Sequence, residues 1–408
     1  MKKVALYNPY LDTKGGGEKI CLALAQILHR EFSNDVYLVT HGPMDLDDIG
    51  SYLDVDLTGI KVLQVNFHTR LMRLSRRMRL PVRIQTIVDD RKISTTVKRE
   101  GFDVFINNCY QSNLPSPCEV GVYTCMFPQR LANDSVGLSL LKRIYVWLTR
   151  RLSRWLLHPQ YRSPIDTYQL VTAISAYAQS YIREYWNRKS VCIFPICEDM
   201  KTIGSTGEKE KIILHVGRFF ENVFDRHAKR QDFLLETFAR LAELQEDGWK
   251  LVFVGGVGLD LGALRFILSL MEAARELPVE FRFNCPFPEL KSLYNRASIY
   301  WHATGYESDS DEHPEKQEHF GIVTVEAMSA GCIPIVINSA GQKETVTHGV
   351  NGFLWRDPKE LINETINVAH MAEVEIRALR EAAESSAKAF SRDEYRKRVV
   401  EVYGPLCS

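Results

Sequence analysis

The sequence predicts an α/β protein built from two doubly wound domains. Its 408 residues exceed the length of one ordinary domain. Short apolar segments of strand length alternate with segments of helical periodicity in two successive series. Between the two series, residues 201–209 are polar and contain glycine, serine and threonine, which is typical of a linker. We therefore expect an N-terminal domain over residues 1–200, a C-terminal domain over 201–388, and a terminal helix over 389–408 that can pack on the N-terminal domain.

The N-terminal series begins with a strand, a glycine loop, a helix and a second strand. Residues 4–7 predict the first strand, and Gly15, Gly16 and Gly17 lie in the loop behind it. This order is typical of a doubly wound sheet, in which loops at the carboxyl ends of the strands bind ligands. Three glycines remain a weak signal, because a plain turn also explains them. The other elements are predicted at residues 19–29 (helix), 35–40, 102–107, from 120, 169–175 and 191–196 (strands), with a helix through Tyr181 and Trp186.

The C-terminal series repeats the alternation after the polar segment. Its predicted strands lie at residues 211–216, 251–254, 279–283, 299–303, 334–337 and 352–355. Its predicted helices lie at residues 231–245, 261–276 and 288–296, and two more begin near 342 and 358. A last helix is predicted within residues 390–402, and Ser391 or Asp393 is its N-cap signal. Two such domains facing each other would enclose a deep cleft between their loop ends.

Composition excludes several classes of protein. The 51 basic residues balance the 51 acidic ones, so charge gives no support for a nucleic-acid partner. The nine cysteines are scattered without a Cys-x-x-Cys pair, which argues against a zinc site and indicates reduced thiols in a cytosolic protein. No apolar run approaches the roughly twenty residues of a membrane-spanning helix, and the first is too short for a signal peptide. The prediction is a cytoplasmic protein.

Two windows without acidic residues indicate contact with the inner face of a membrane. Residues 57–88 and 135–165 contain neither aspartate nor glutamate. Within them, residues 68–83 interleave six arginines with leucine and methionine, and residues 141–156 interleave lysine and arginine with leucine and tryptophan. Such helices suit an anionic membrane surface. The alternative is an ordinary solvated basic face.

Residues 318–326 carry the clearest chemical signal. Glu318 and Glu326 bracket a short apolar turn that Gly321 opens, and a buried strand follows. Free backbone N–H groups at a helix start can bind an anion without any basic side chain. Glu326 lies beside residues that favour burial, so its carboxylate requires hydrogen-bond donors such as sugar hydroxyls. The alternative is one capping glutamate and one solvated glutamate.

Arg218 and Lys229 stand at loop ends of the same domain and could hold a diphosphate. Each taken singly is more often a plain surface charge. Together with the two glutamates, they predict a pocket for a nucleotide-diphosphate sugar. In that pocket the bases would bind the diphosphate, Glu318 the hexose hydroxyls and Glu326 the ribose.

These motifs resemble those of retaining GT-B glycosyltransferases of family 4, also called glycosyl transferases group 1. The resemblance spans about residues 211–356. The matching segments are residues 217–219, 229–231, 318–328, 330–334 and 349–354. The loop at residues 15–19 is similar to that of the subgroup containing lipid-linked oligosaccharide mannosyltransferases.

The resemblance implies two Rossmann-like domains and transfer of a hexose, with retention, to a hydroxyl of a glycan or lipid-linked glycan precursor, as in polysaccharide biosynthesis. It implies catalytic roles for Arg218, Lys229 and Glu318. It implies that the donor contacts Gly16, Gly17, Phe320, Gly321, Ile322, Val323 and Glu326. A diphosphate oxygen would accept the proton, with a double displacement through Glu318 as the less favoured scheme. Neither a metal nor another cofactor is expected.

Two histidine positions concern the acceptor or sugar side. Family members often carry a histidine where this chain has Met126, just before Phe127 and Pro128. His302 ends a predicted strand and could face the cleft, or it could be a structural histidine. Residues 309–311 match the Asp-x-Asp motif of metal-dependent glycosyltransferases of another fold, but they lie in an acidic loop that is better explained as solvated or as a lid.

Two other functions remain open from the sequence. The Met126 departure is compatible with a catalytically silent nucleotide-sugar-binding or scaffold protein on the same fold. An epimerase or a phosphorylase would form product without an acceptor.

Overall fold

The structure is a computed structural model that describes residues 1–13, 15–65, 81–130, 139–202, 209–220, 229–258 and 261–407. The chain divides into two compact units. The first comprises Met1–Pro195 together with Tyr395–Ser408, and the second comprises Ile196–Glu394. Most of the expected linker and most of the basic window at residues 68–83 lie outside the described residues.

The first unit is built on a seven-stranded parallel sheet with the order β3-β2-β1-β4-β5-β6-β7. Its strands are β1 (Lys3–Tyr7), β2 (Asp35–Thr40), β3 (Lys61–Gln64), β4 (Val104–Asn107), β5 (Val120–Cys125), β6 (Leu170–Ala173) and β7 (Val191–Cys192). The chain runs outward in one direction from β1 and then in the other from β4. Ligands of doubly wound sheets bind where the strand order reverses in this way.

Between its strands, the described part of the first unit contains five helices. They are α1 (Gly16–Phe32), α2 (Leu46–Leu53), α3 (Val82–Glu100), α4 (Leu140–Leu157) and α5 (Ala176–Trp186). The apolar positions of α1 that show helical spacing, such as Ile20 and Leu24, are buried. At its start, the Gly15 N–H donates to Glu18 Oε2 over 2.8 Å, which satisfies one of the free donors of the helix terminus.

The last helix, α14 (Arg392–Cys407), packs in the first unit from Tyr395 onward. Its end is tied to the first strands, because Lys2 Nζ donates to the Leu406 carbonyl over 2.8 Å and Asn34 Nδ2 donates to the Cys407 carbonyl over 3.0 Å. The terminal helix therefore contributes to the core of the unit that the first residues begin.

The second unit contains a six-stranded parallel sheet with the order β10-β9-β8-β11-β12-β13. Its strands are β8 (Glu210–Val216), β9 (Lys250–Gly255), β10 (Val279–Phe283), β11 (Ala297–His302), β12 (Ile333–Ile337) and β13 (Phe353–Trp355). The strand order reverses between β8 and β11. The helices are α6 (Gln231–Ala239), α7 (Ala242–Glu246), α8 (Leu261–Ala273), α9 (Phe287–Arg296), α10 (Ile322–Ser329), α11 (Gln342–Thr345), α12 (Pro358–His370) and α13 (Glu373–Ala387).

The structure differs from the sequence expectation in one boundary and in several elements. The sequence did not predict α2, β3, α3 or α13, and the strand expected at residues 191–196 is the two-residue β7. The helix expected over residues 231–245 is two helices, because Arg240 and Leu241 make bonds to carbonyls three residues earlier and Leu241 turns into the core. The division between the units falls after Pro195. Met200 lies beyond it because its N–H donates to Ser329 Oγ of the second unit over 2.9 Å.

Among the described residues, no helix combines the length and the apolar character needed to cross a bilayer.

Candidate functional site

The carboxyl ends of β8 and β11 lie side by side at the point of reversal in the second sheet. Arg218 follows β8, and His302 is the last residue of β11. The loop after β11 leads to Glu318, and Lys229 stands two residues before α6. The topology thus brings four residues predicted from sequence to the edge of the sheet where a ligand would bind.

Glu318 contacts two of these residues, Lys229 and His302. Lys229 Nζ lies 2.7 Å from Glu318 Oε2, and His302 Nε2 lies 3.1 Å from the same oxygen. His302 is fully buried, and the side chains of Lys229 and Glu318 are 19% and 18% exposed. Among the described residues, no hydrogen bond reaches the other oxygen, Oε1, which leaves it available to a ligand hydroxyl.

The charge states of this cluster follow from its surroundings. Burial raises the pKa of the Glu318 carboxyl, but Lys229 and the hydrogen bond from His302 lower it by more, so its pKa lies well below the usual range. Burial lowers the pKa of His302 below its ordinary value, and Glu318 offsets only part of that effect. A neutral His302 therefore donates its Nε2–H to an ionised Glu318.

His215 is a site residue that the sequence reasoning missed. It is fully buried in β8, and its Nδ1 lies 2.9 Å from the Trp301 carbonyl, to which it donates. Burial lowers the pKa of His215 to about 3, so the ring is neutral and Nε2 carries a lone pair with no described partner. A Cβ at Gly217 would lie 3.1 Å from this Nε2 and 2.9 Å from Lys229 Cγ. The sequence signal that could have identified it is a single histidine within an otherwise apolar strand.

Gly321 is the N-cap of α10 and has a φ of 100°, a backbone region that favours glycine. A Cβ there would lie 2.5 Å from Gln342 Nε2. Gln342 is fully buried, and neither its amide oxygen nor its nitrogen has a described partner. The first N–H groups of the helix, at Ile322 and Val323, have no partner within the helix. This corner therefore offers several donors to an anion or a sugar.

Glu326 lies inside α10 and is 9% exposed, which excludes the solvated alternative. Its Oε2 stands 3.5 Å from the hydroxyl of Tyr294, which is itself fully buried. Met328 and Ala330, which follow Glu326 in the chain, are buried, as the sequence predicted for the residues beside it.

Two predicted residues take other positions. The side chain of Phe320 is buried and packs on Phe390 with ring centroids 5.2 Å apart. Phe320 can therefore contact a nucleotide-sugar substrate only through its backbone. Arg218 is exposed, and no ion pair joins it to a described residue. Its carbonyl accepts a hydrogen bond from Gln231 Nε2 over 3.2 Å, which holds the loop but leaves the guanidinium outside the cluster.

In the first unit, the glycine loop meets Met126. A Cβ at Gly17 would lie 2.6 Å from Met126 Cε, while Gly16 is exposed at the start of α1. Asn108, directly after β4, is fully buried and both atoms of its amide lack a described partner. These residues lie at the carboxyl edge of the first sheet, near its point of reversal.

The Asp-x-Asp segment forms a turn. Asp309 Oδ1 accepts the N–H groups of Asp311 and Glu312 over 2.8 and 3.0 Å, and these bonds lower the pKa of Asp309. Within the described ranges, no group of three or more histidine, cysteine, aspartate or glutamate side chains is placed to hold a metal ion.

Sequence comparison places this geometry among glycosyltransferases. Residues 198–387 match the family model described as glycosyl transferases group 1. The chain is 26% identical to a GDP-Man:Man(3)GlcNAc(2)-PP-Dol alpha-1,2-mannosyltransferase of Xenopus laevis, over 84% of this chain and 74% of the relative. It is 24% identical to the Homo sapiens protein of that name, over 96% and 84% of the two chains.

Solved structures show the fold. The chain superposes with a TM-score of 0.63 on Anabaena Alr3699/HepE in complex with UDP and glucose, at 17% identity over 99% of this chain and all of the other. It superposes with a TM-score of 0.65 on WaaG, a glycosyltransferase involved in lipopolysaccharide biosynthesis, at 15% identity over 99% and 100%. The two parallel-sheet, Rossmann-like domains have the GT-B fold.

Proposed function

We propose that this chain, a hexose-transferring glycosyltransferase with the GT-B fold, is a retaining mannosyltransferase that uses GDP-mannose and extends a lipid-linked glycan. One observation carries the proposal: the Lys229–Glu318–His302 cluster stands at the reversal point of the second sheet, beside the free N–H groups of α10. The donor and the acceptor class are taken from the relatives, whose names state GDP-Man and a PP-Dol-linked glycan.

The leaving diphosphate develops the largest charge in the reaction. Lys229 carries an ammonium at the cluster, and Arg218 has an exposed guanidinium that can swing toward the same edge. Backbone N–H groups at Gly321, Ile322 and Val323 add donors at the helix start. Preorganised charges and dipoles of this kind stabilise the leaving group as the bond to the sugar lengthens.

Glu318 would orient the mannose rather than attack it. Its Oε2 is occupied by Lys229 and His302, and its depressed pKa makes the carboxylate a weak base. Its Oε1 can accept a hydrogen bond from a sugar hydroxyl. We therefore favour same-face transfer: the bond from the anomeric carbon to the diphosphate oxygen breaks, the acceptor oxygen forms the new bond, and its proton goes to the diphosphate.

Glu326 would accept hydrogen bonds from the ribose hydroxyls of the nucleotide. Its position in α10, four residues after Ile322 at the helix start, supports such a role. Met126 and Gly17, which meet in the first unit, would lie on the acceptor side.

The helix α4 would hold the enzyme at the membrane that carries its acceptor. Its 18 residues include five cations and no acid. Val146 and Thr149 are buried, whereas seven large apolar side chains are exposed. These are Leu140, Leu141, Ile144, Trp147, Leu148, Leu152 and Trp155. An exposed apolar face flanked only by cations suits an anionic lipid surface.

A direct assay tests the proposed reaction. The protein is incubated with GDP-mannose, GDP-glucose, UDP-glucose or UDP-galactose and extracted lipid-linked glycans, and the product is isolated. We expect transfer from GDP-mannose with the α configuration retained, read from the anomeric signals by NMR. Donor binding without transfer would support the silent binding protein instead. Product formed without an acceptor would support an epimerase or a phosphorylase.

A further inference from the structure

The helix α8 of the second unit has apolar side chains on two sides. Ala263, Ile267 and Leu270 are buried against the unit, as one face of a surface helix should be. A second stripe, Leu261, Leu264, Leu268 and Met271, is 44–71% exposed. The first stripe packs into the core of the second unit. The second stripe faces away from that core and is not covered by any described residue of this chain.

The residues of the exposed stripe have the spacing of the contact residues between two paired helices. Its residues recur at intervals of three, four and three, which keeps them on one line along the helix. These intervals are the a and d positions of a heptad, where leucine and methionine pack into a facing helix.

The charged residues beside the exposed stripe favour a second copy of this chain over a lipid surface as its partner. The only charged residues of α8 are Arg265 and Glu272, seven positions apart and so on the same flank of the stripe. The basic helix α4 carries cations alone, as an anionic lipid surface requires, whereas α8 is neutral and gives such a surface no attraction. Opposite charges at the two ends of one flank complement the same flank of a second, antiparallel copy.

We propose that α8 is a self-association surface, through which two copies of this chain pair their helices antiparallel about a two-fold axis. In that arrangement the four apolar residues of each copy cover those of the other. Arg265 of each copy approaches Glu272 of the other, whereas a parallel arrangement would place like charges together. Among the residues that the structure describes, the carboxylate of Glu272 makes one ion-pair contact, an exposed one of 3.6 Å with Arg275, which can be exchanged for a contact with another copy.

Sedimentation velocity of the full chain at about 1–100 µM tests the proposal, because small interfaces of this kind are weak. The wild type should dimerise reversibly, and Leu264→Gln with Leu268→Gln should raise the dissociation constant at least about tenfold. Leu140→Gln with Leu141→Gln on α4 is the matched control and should dimerise as the wild type does. Circular dichroism melts confirm that each variant is folded.

Charge reversal tests the orientation separately. Arg265→Glu and Glu272→Arg should each weaken the dimer, and combining both changes in one chain should restore it. A wild type that stays monomeric throughout the concentration range would overturn the proposal. So would a combined variant as weak as the single ones, or a monomer whose Leu264→Gln/Leu268→Gln form loses binding to lipid vesicles.

Discussion

The candidate site depends most on one residue, Glu318, and on its carboxylate. One of its oxygens accepts hydrogen bonds from both Lys229 and His302, and the other faces no described partner. A largely buried carboxylate with this pattern is both fixed in direction and kept ionised. Its Oε1 can therefore accept a hydrogen bond from a sugar hydroxyl while its Oε2 holds Lys229 in place.

Replacing Glu318 by glutamine should separate charge from shape. The amide keeps the volume but lacks the charge that fixes Lys229, so we expect kcat for the proposed mannosyl transfer to fall by about 10²–10³. Glu246→Gln, which changes an exposed carboxylate at the end of α7, serves as the control. Steady-state kinetics with GDP-mannose provide the measurement. Unchanged kcat would remove Glu318 from the catalytic cluster.

The same substitution should reveal the depressed pKa of Glu318. The ionised carboxylate stabilises the folded state above the pKa of an unfolded glutamate, about 4.3. This contribution is lost as the pH falls through the lower folded pKa. The melting temperature of the wild type should exceed that of Glu318→Gln most clearly near pH 7, and the difference should shrink below about pH 4. A difference that stays constant from pH 7 to pH 3 would contradict the assignment.

At the residue level, the sequence assigned Lys229 to a diphosphate and Glu318 to sugar hydroxyls of one pocket. The structure brings the two side chains within 2.7 Å of each other, and their roles toward a ligand stay predictions. His302 was ambiguous because sequence gives no side-chain direction, and only the fold turns its Nε2 toward Glu318. His215 was missed for a related reason: an apolar strand conceals one polar residue whose partner, the Trp301 carbonyl, lies 86 positions away.

At the scale of elements, helices that look alike in sequence have different surroundings. The helix α4 presents an apolar and basic face to solvent, and α6 and α7 replace one continuous helix. Periodicity predicted α4 correctly because eighteen residues repeat one pattern. It failed at Arg240 because Leu241 packs into the core and turns the chain, an effect of tertiary contacts that propensity does not contain.

The exposed face of α4 should bind anionic vesicles. The Arg151 guanidinium lies 4.8 Å from the centroid of the Trp147 ring, so in the proposed contact one aromatic residue and one cation would meet the lipid together. We expect Trp147→Ser with Trp155→Ser to lower the fraction that sediments with phosphatidylserine vesicles by at least about fivefold, because both rings leave the interface. Leu264→Gln with Leu268→Gln on α8 is the control and should bind normally.

Vesicles of neutral lipid provide a second comparison. The wild type should bind them more weakly than anionic vesicles, and added salt should reduce only the anionic binding. Equal sedimentation of the wild type and the double tryptophan variant with anionic vesicles would exclude α4 as the contact.

At the scale of the whole molecule, alternation of strands and helices was enough to predict two parallel-sheet units. It did not give the order of strands, because a sequence pattern indicates where a strand lies but not which neighbour the strand joins in the sheet. The return of the chain to its first unit depends on contacts such as that of Tyr403 with Thr124, whose hydroxyls lie 3.1 Å apart across 279 positions. Nothing in a local pattern encodes so distant a pair.

Removing residues 395–408 should weaken the first unit selectively. The truncated chain loses the hydrogen bonds to Lys2 and Asn34 and the packing of Tyr395 and Tyr403. We expect faster amide hydrogen exchange in β1 and β5, with unchanged protection in β8 and β11 of the second unit. The measurement is hydrogen exchange read by mass spectrometry on the full and truncated chains. Equal protection of β1 in both would show that the helix adds nothing to this unit.

The placement of α14 also sets an order for synthesis on the ribosome. Domains usually fold in the order in which they emerge, beginning with the N-terminal one. Here the first unit lacks its last helix until residues 395–407 have been made, whereas every residue of Ile196–Glu394 is synthesised before them. Of the two units, the one that contains residues 1–195 is thus completed second. A nascent chain stalled before residue 395 would carry a finished second unit and an unfinished first one.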